Sequence, residues 1–224
     1  MYFLDSRSRT TDIKESPQLR LEVFKTDYFT RQVLTCALKK LNISKDIFNT
    51  DSLNNELKWI RASFGVNVIV ILNSVNQIIL TKRSKHSSYS SDKSWYYVSV
   101  TEGFSESDID EYSCAPSLTL CVTRGMEEEL GIEKSMFFDS DIKFHDCFFE
   151  TVFLQDGIVV SVALNENIFP DDIMSLRAKD KFLEIDEIFF IDNNRKAIKD
   201  FIDFHKDEMR SQTIFSLESY MSSL

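Results

Sequence analysis

The stretch Leu118–Leu130, LTLCVTRGMEEEL, decides how the rest of the chain is read. Leu118, Val122, Met126 and Leu130 recur every four residues, and on a helix turning about 100° per residue they make one apolar stripe roughly 120° wide. With Val122 as origin, Glu127 falls at about 140°, Glu128 at about 240° and Glu129 at about 340°. Glu127 is therefore expected in solvent, Glu128 beside the stripe and Glu129 inside it. A carboxylate inside an apolar stripe is costly unless it is paired or binds a cation, so Glu129 needs a partner. Gly131 follows as the residue that ends the helix.

The whole chain has 224 residues, of which 43% are hydrophobic, including 19 Phe, enough for a substantial core. Its 36 acidic residues outnumber 26 basic ones, and the net charge of −10 argues against DNA, RNA or an anionic membrane as partner. The longest apolar run, Val68–Leu72, is too short to span a bilayer. The N-terminus, MYFLDSRSRT, has no apolar signal core. Cys36, Cys114, Cys121 and Cys147 lack paired metal-ligand spacing, and the expected compartment is the cytoplasm.

From the N-terminus, residues 1–60 read as an accessory segment. Leu19, Leu21 and Val23 alternate as a short strand, Tyr28–Leu41 has helical apolar spacing, and a second helix is expected from Asp51 to Ala62. The main domain is expected over 61–210. Val66–Leu72 and Gln77–Lys82 predict a hairpin with one buried strand, followed by a Ser-rich loop, Lys85–Ser94, and a strand at Trp95–Val100. Ser105–Ser117 is acidic and interrupted by Pro116. Phe144–Leu154 and Ile158–Leu164 predict a hairpin turning at Asp156-Gly157, and Lys181–Ile191 another strand. Asp192-Asn193-Asn194 caps a final helix bearing Ala197, Ile198, Phe201, Ile202 and Met209. Residues 211–224 read as a polar, frayed tail. The elements fit an α/β/α sandwich with a mixed sheet.

Arg124-Gly125-Met126-Glu127-Glu128-Glu129-Leu130-Gly131-Ile132 resembles the second half of the Nudix box, Arg-Glu-U-x-Glu-Glu-x-Gly-U with U aliphatic. Arg124, Met126, Glu128, Glu129, Gly131 and Ile132 fit; Gly125 stands where that family has a glutamate. Gly103 serves as the opening glycine, with about seven residues inserted before Arg124. Glu111 is the nearest stand-in for the box's first glutamate, with Glu106 the alternative. The order of hairpin, basic pair, polar loop, Trp-started strand, glycine and acidic helix extends the likeness over roughly 64–192. The resemblance implies a Nudix-like α/β/α sandwich carrying an N-terminal helical extension.

It also implies Mg²⁺- or Mn²⁺-dependent hydrolysis of a nucleoside diphosphate linked to another moiety. Glu128, Glu129 and Arg124 would be the catalytic residues, with Glu128, Glu129 and Glu111 holding the metal. Lys82, Arg83 and Trp95 are candidates for binding the nucleotide-type small molecule; ordinary strand-end charges and a core tryptophan are the plainer alternatives. Arg124 and Glu128 also fit a simple i,i+4 surface pair. Glycine at 125 supplies neither ligand nor base, and a helix-interior glycine calls for a close neighbour. Three outcomes are open: another acid (Glu102, Glu111 or Glu150) replaces the missing one, the fold binds a nucleotide without cleaving it, or the surface serves protein contacts. A homodimer or a protein partner would use the N-terminal helices.

Overall fold

The computed structural model describes residues 27–40, 63–83, 95–150, 155–178 and 185–224. The expected strand at Leu19–Val23, the helix at Asp51–Ala62 and the loop at Lys85–Ser94 lie outside them. The chain divides into two compact units. The first comprises residues 1–65, 103–106 and 149–157. It contains helix α1 (Tyr28–Lys40), within the expected span, and a Phe64–Phe104 ring pair with centroids 5.7 Å apart.

The second unit holds most of a seven-stranded mixed sheet, and the architecture is an α/β sandwich. Its strands are β1 (Ser63–Leu72), β2 (Gln77–Arg83), β3 (Tyr96–Val98), β4 (Val100–Gly103), β7 (Ile142–Glu150), β8 (Gln155–Leu164) and β9 (Ile185–Asp192). They run in the order β3-β2-β1-β8-β7, with β4 beside β1 and β9 beside β2. β5 (Ile109–Asp110) and β6 (Ala115–Pro116) form a separate small hairpin. The run VIVIL is buried at all but Ile71, as a strand covered on both faces requires.

The expected strand at Trp95–Val100 breaks in two at Ser99. Its hydroxyl accepts from Val70 N–H at 2.7 Å and donates to Ile79 C=O at 2.5 Å, one partner on β1 and one on β2. That fully buried side chain replaces the ladder bonds lost where the chain leaves β2 and joins β1.

Helix α2 (Leu118–Gly125) continues through a π turn at Met126–Leu130. α3 (Pro170–Ser175) is short, and α4 (Arg195–His205) and α5 (Ser211–Ser223) follow. Ile198, Ile202, Leu217 and Tyr220 of α4 and α5 share a core with Ile69, Ile78, Leu80, Val98 and Val159 of the sheet.

Three expectations are corrected. Residues 211–224 are not a frayed tail: α5 buries Leu217 and Tyr220, and the Ser216 and Tyr220 hydroxyls bond on the inside. Asn67 Nδ2 donates to Ser216 Oγ at 2.9 Å, and the Tyr220 hydroxyl to Asn193 Oδ1 at 2.8 Å. Asp156-Gly157 is not the turn after β7; both residues are buried inside β8, where tertiary packing outweighs the local turn preference. Met209 lies beyond α4, bridged in parallel to Tyr96.

Asn194 caps α4 as expected, its side chain accepting from Ala197 N–H at 2.9 Å. Asn194→Ala should lower stability by about 1 kcal/mol, a fall of roughly 2–4 °C in a thermal melt. Asn194→Asp should retain most of it.

Candidate acidic site around Arg124

The π turn and α2 present side chains much as the apolar stripe required. Val122, Met126 and Leu130 are fully buried, Leu118 is half-buried, Glu127 is exposed and Glu128 lies between. Glu129 is buried, with 6% of its surface exposed. Gly131 ends the helix at φ 75°, its N–H bonded to Glu127 C=O at 3.0 Å. A side chain there would also meet Arg177 C=O at 2.8 Å, so the position needs glycine for both shape and space.

Glu129 has its partners inside the protein. Its Oε1 accepts from Thr101 N–H at 3.2 Å and lies 3.7 Å from the Arg83 guanidinium. The charge in the stripe is met by a strand-end arginine and a backbone amide of β4.

Arg124 gathers three further carboxylates. Its Nε and NH2 donate to the two oxygens of Asp108, both at 2.8 Å. Its NH1 donates to Glu128 Oε2 at 3.1 Å and reaches Glu102 Oε1 at 3.1 Å. Asp108 has no exposed surface. Its bidentate bond, together with Glu102, raises the Arg124 pKa well above the ordinary arginine range, against the opposing effect of burial. The i,i+4 pair read from the sequence is thus one arm of a larger network. Four carboxylates (Glu102, Asp108, Glu128 and Glu129) meet two guanidiniums (Arg83 and Arg124), a formal charge of −2.

The acidic stretch before α2 explains how Asp108 arrives there. Asp108 C=O accepts from Ser117 N–H at 2.8 Å, closing the base of the β5–β6 hairpin against the start of the helix. Ser117 then caps α2 by accepting from Leu120 N–H at 3.3 Å. At the other end, Asp110 Oδ1 accepts from the N–H and hydroxyl of Ser113, both at 2.8 Å, and fixes the tip. Glu111 sits at that exposed tip. The acid that this stretch delivers to Arg124 is Asp108, while Glu111, the expected third metal ligand, stands at the tip. No periodicity marks Asp108, because a loop residue carries none.

Gly125 also has its reason. Its backbone is ordinary helix (φ −60°, ψ −40°), but a Cβ there would lie 2.7 Å from Glu102 Cβ and 3.0 Å from Val100 Cγ1. The helix touches β4 at this point, and Glu102 fills the space that a side chain at 125 would take. Glu150 belongs to the first compact unit, at the end of β7.

The basic pair divides. Arg83 faces Glu129, whereas Lys82 points to the opposite side of β2, its Nζ 4.7 Å from the Tyr96 ring centre and 3.4 Å from its hydroxyl. Adjacent strand residues alternate faces, so only one member of such a pair can reach one site. Trp95 is half-buried just before β3, its C=O accepting from Arg83 N–H at 2.9 Å. Beside Arg124 opens a groove of about 440 Å³, lined by Asp108, Thr123, Glu127, Glu128, Glu133 and Arg177 among others. Among the described residues, no three or more His, Cys, Asp or Glu side chains form a ready-made metal site. Cys121 is buried beside Arg124, and burial pushes its thiol pKa well up, leaving it an apolar filler.

No family model matches the chain, and no curated protein matches it. Among solved structures, the solution structure of the E. coli ORF135 protein is similar at a TM-score of 0.45 and 15% identity, over 71% of this chain and 89% of that one. No described helix is long and apolar enough to cross a membrane.

Proposed function

We propose that this protein is a Nudix-like hydrolase, acting with Mg²⁺ or Mn²⁺ on a nucleoside diphosphate linked to another moiety, and that Glu102 stands in for the glutamate absent at position 125. The observation that carries this reading is the position of Glu102. It fills the notch at Gly125 and shares Arg124 NH1 with Glu128, so two carboxylates converge on one point from strand and helix. Carboxylate oxygens are the donor type that Mg²⁺ takes, commonly one or two of them plus substrate phosphates. Glu102 and Glu128 would hold the cation, with Glu129 behind them. When bound it would supply Lewis-acid polarisation of a phosphoryl oxygen and a more acidic water. Arg124 fixes the direction of both carboxylates, and Asp108 fixes Arg124. Arg83, 3.7 Å from Glu129, would bring positive charge near a phosphate.

The expected result is Mn²⁺ binding, read by isothermal titration, that Glu102→Gln and Glu128→Gln each weaken about tenfold or more. Nucleotide sugars and dinucleoside polyphosphates should yield a nucleoside monophosphate under the same conditions. Mn²⁺ affinity indifferent to Glu102→Gln would remove the assigned role of that residue. A second reading, a non-hydrolytic nucleotide-binding or protein-interaction module, is favoured by the pairing of Glu129 with Arg83 and Thr101. Nucleotide binding without turnover on any substrate would select it.

A further inference from the structure

We infer that the tip of the β5–β6 hairpin docks into a basic groove between α4 and α5 of a second copy of this chain, with Tyr112 as its anchor. The groove, of about 680 Å³, is lined by Arg195, Lys196, Lys199, Met221 and Ser222 and, among the described residues, by no acid. Arg195 and Lys196 stand in the first turn of α4, where a cation opposes the helix dipole, so the helix itself gains nothing from them. Among the described residues, neither side chain takes part in an ion pair or hydrogen bond. Lys199 differs: its Nζ lies 2.9 Å from Asp203, and Asp200 and Glu218 are close enough to act on it. Two positive charges are thus left unanswered in one groove of a chain whose net charge is −10. Met221 supplies an apolar wall and packs against the core that α4 and α5 share with the sheet.

A partner for this groove must bring an apolar anchor between acids, and the chain carries such a tip itself. Tyr112 is 98% exposed, the most exposed of the large apolar side chains among the described residues, so its ring gains almost nothing from its own copy. The turn beneath it is firmly closed. Asp110 Oδ1 holds the N–H and hydroxyl of Ser113, and Cys114 N–H donates to Asp110 C=O at 2.8 Å. A closed turn presents the ring in one place and loses little freedom on binding. Asp110 and the exposed Glu111 bring two negative charges beside the ring, equal in number to the unanswered cations. Aromatic rings and arginine are the usual anchors of an interface, and a guanidinium favours the face of a tyrosine. Met221 suits the ring edge, and the aliphatic stems of the lysines extend the apolar lining beneath their charged heads. Hairpin and groove both belong to the second compact unit, so the contact needs nothing from residues 1–65. It is a head-to-tail contact, which two copies satisfy reciprocally or a longer assembly repeats. Nothing in it depends on the hydrolase reading.

The test is sedimentation velocity of the full chain at rising concentration. Reversible self-association is expected at low salt, weakening as ionic strength goes from about 0.05 M to about 0.5 M, because the charges concerned are exposed. Tyr112→Ser should lower the association constant about tenfold or more, the scale of a lost aromatic anchor. Tyr112→Phe, which keeps the ring, should stay near the native value. Arg195→Glu with Lys196→Glu should match the loss by repelling the tip. All three residues are exposed, so melting temperatures should stay near native, which separates a lost contact from a lost fold. Mixing then decides. An equimolar mixture of Tyr112→Ser with the groove variant sets an intact groove against an intact hairpin and should regain association that neither has alone. A native chain still monomeric at about 1 mM, the weak end of specific binding, overturns the inference. Self-association that neither variant alters, or that high salt leaves unchanged, overturns it too. So does a mixture no more associated than its components, which would give the groove to a different partner.

Discussion

Replacing Arg124 with methionine is expected to destabilise the protein by about 3–5 kcal/mol, the usual cost of leaving a buried charge without its partner. Asp108 is the reason. It has no exposed surface, and both its oxygens are bound by this one guanidinium at 2.8 Å. Glu102 and Glu128 would then face each other without the cation between them. For a chain of this size the loss corresponds to a fall of roughly 6–20 °C in the melting temperature. Arg124→Lys should recover only part, because an ammonium cannot span both oxygens of Asp108 while reaching the two glutamates. The double variant Arg124→Met with Asp108→Leu should be much nearer the native protein than Arg124→Met alone, since a buried pair replaced by apolar groups is close to neutral. A thermodynamic cycle over these variants measures the coupling. Independent, additive losses would show that Asp108 does not depend on Arg124.

Gly125→Glu, which restores the residue of the resembling family, is expected to weaken the protein instead of repairing it. The added Cβ alone would stand 2.7 Å from Glu102 Cβ, the inner and least movable part of that side chain, and 3.0 Å from Val100. Overpacking of this kind costs about 1–3 kcal/mol, and a better helix former returns at most about 1 kcal/mol. A fourth carboxylate beside Glu102, Asp108 and Glu128 adds repulsion. Gly125→Ala should show the steric part by itself. The exchange variant, Gly125→Glu with Glu102→Gly, moves the carboxylate from strand to helix and opens the space it needs. It should be more stable than Gly125→Glu and should retain the Mn²⁺ affinity proposed for the site. If Gly125→Glu alone melts at or above the native temperature, helix and strand are not in the contact described here.

Much of this was legible in the sequence. Four apolar residues at four-residue spacing fixed the orientation of Leu118–Leu130, and with it the burial of Glu129 against the exposure of Glu127, because helical phase is a local property of the chain. The same holds for the β1–β2 hairpin, the Asn194 cap and Gly131, each set by residues within a few positions of one another. What Glu129 would pair with was not legible: Arg83 and Thr101 lie 46 and 28 positions away, and no local pattern connects them. Asp108 was not singled out at all, because motif spacing counts residues and led to Glu111 or Glu106, whereas the closed hairpin between Asp108 and Ser117 takes Glu111 out to its tip. The last helix was missed because its polar run looks solvent-bound until Asn67 donates to the Ser216 hydroxyl and to the backbone carbonyl of Gln212. The glycine at 125, a defect when read along the helix, became a fit once β4 lay against it. Tertiary structure settled each of these points because each depends on a contact between segments far apart in the chain, and only the folded protein brings such segments within a few ångströms.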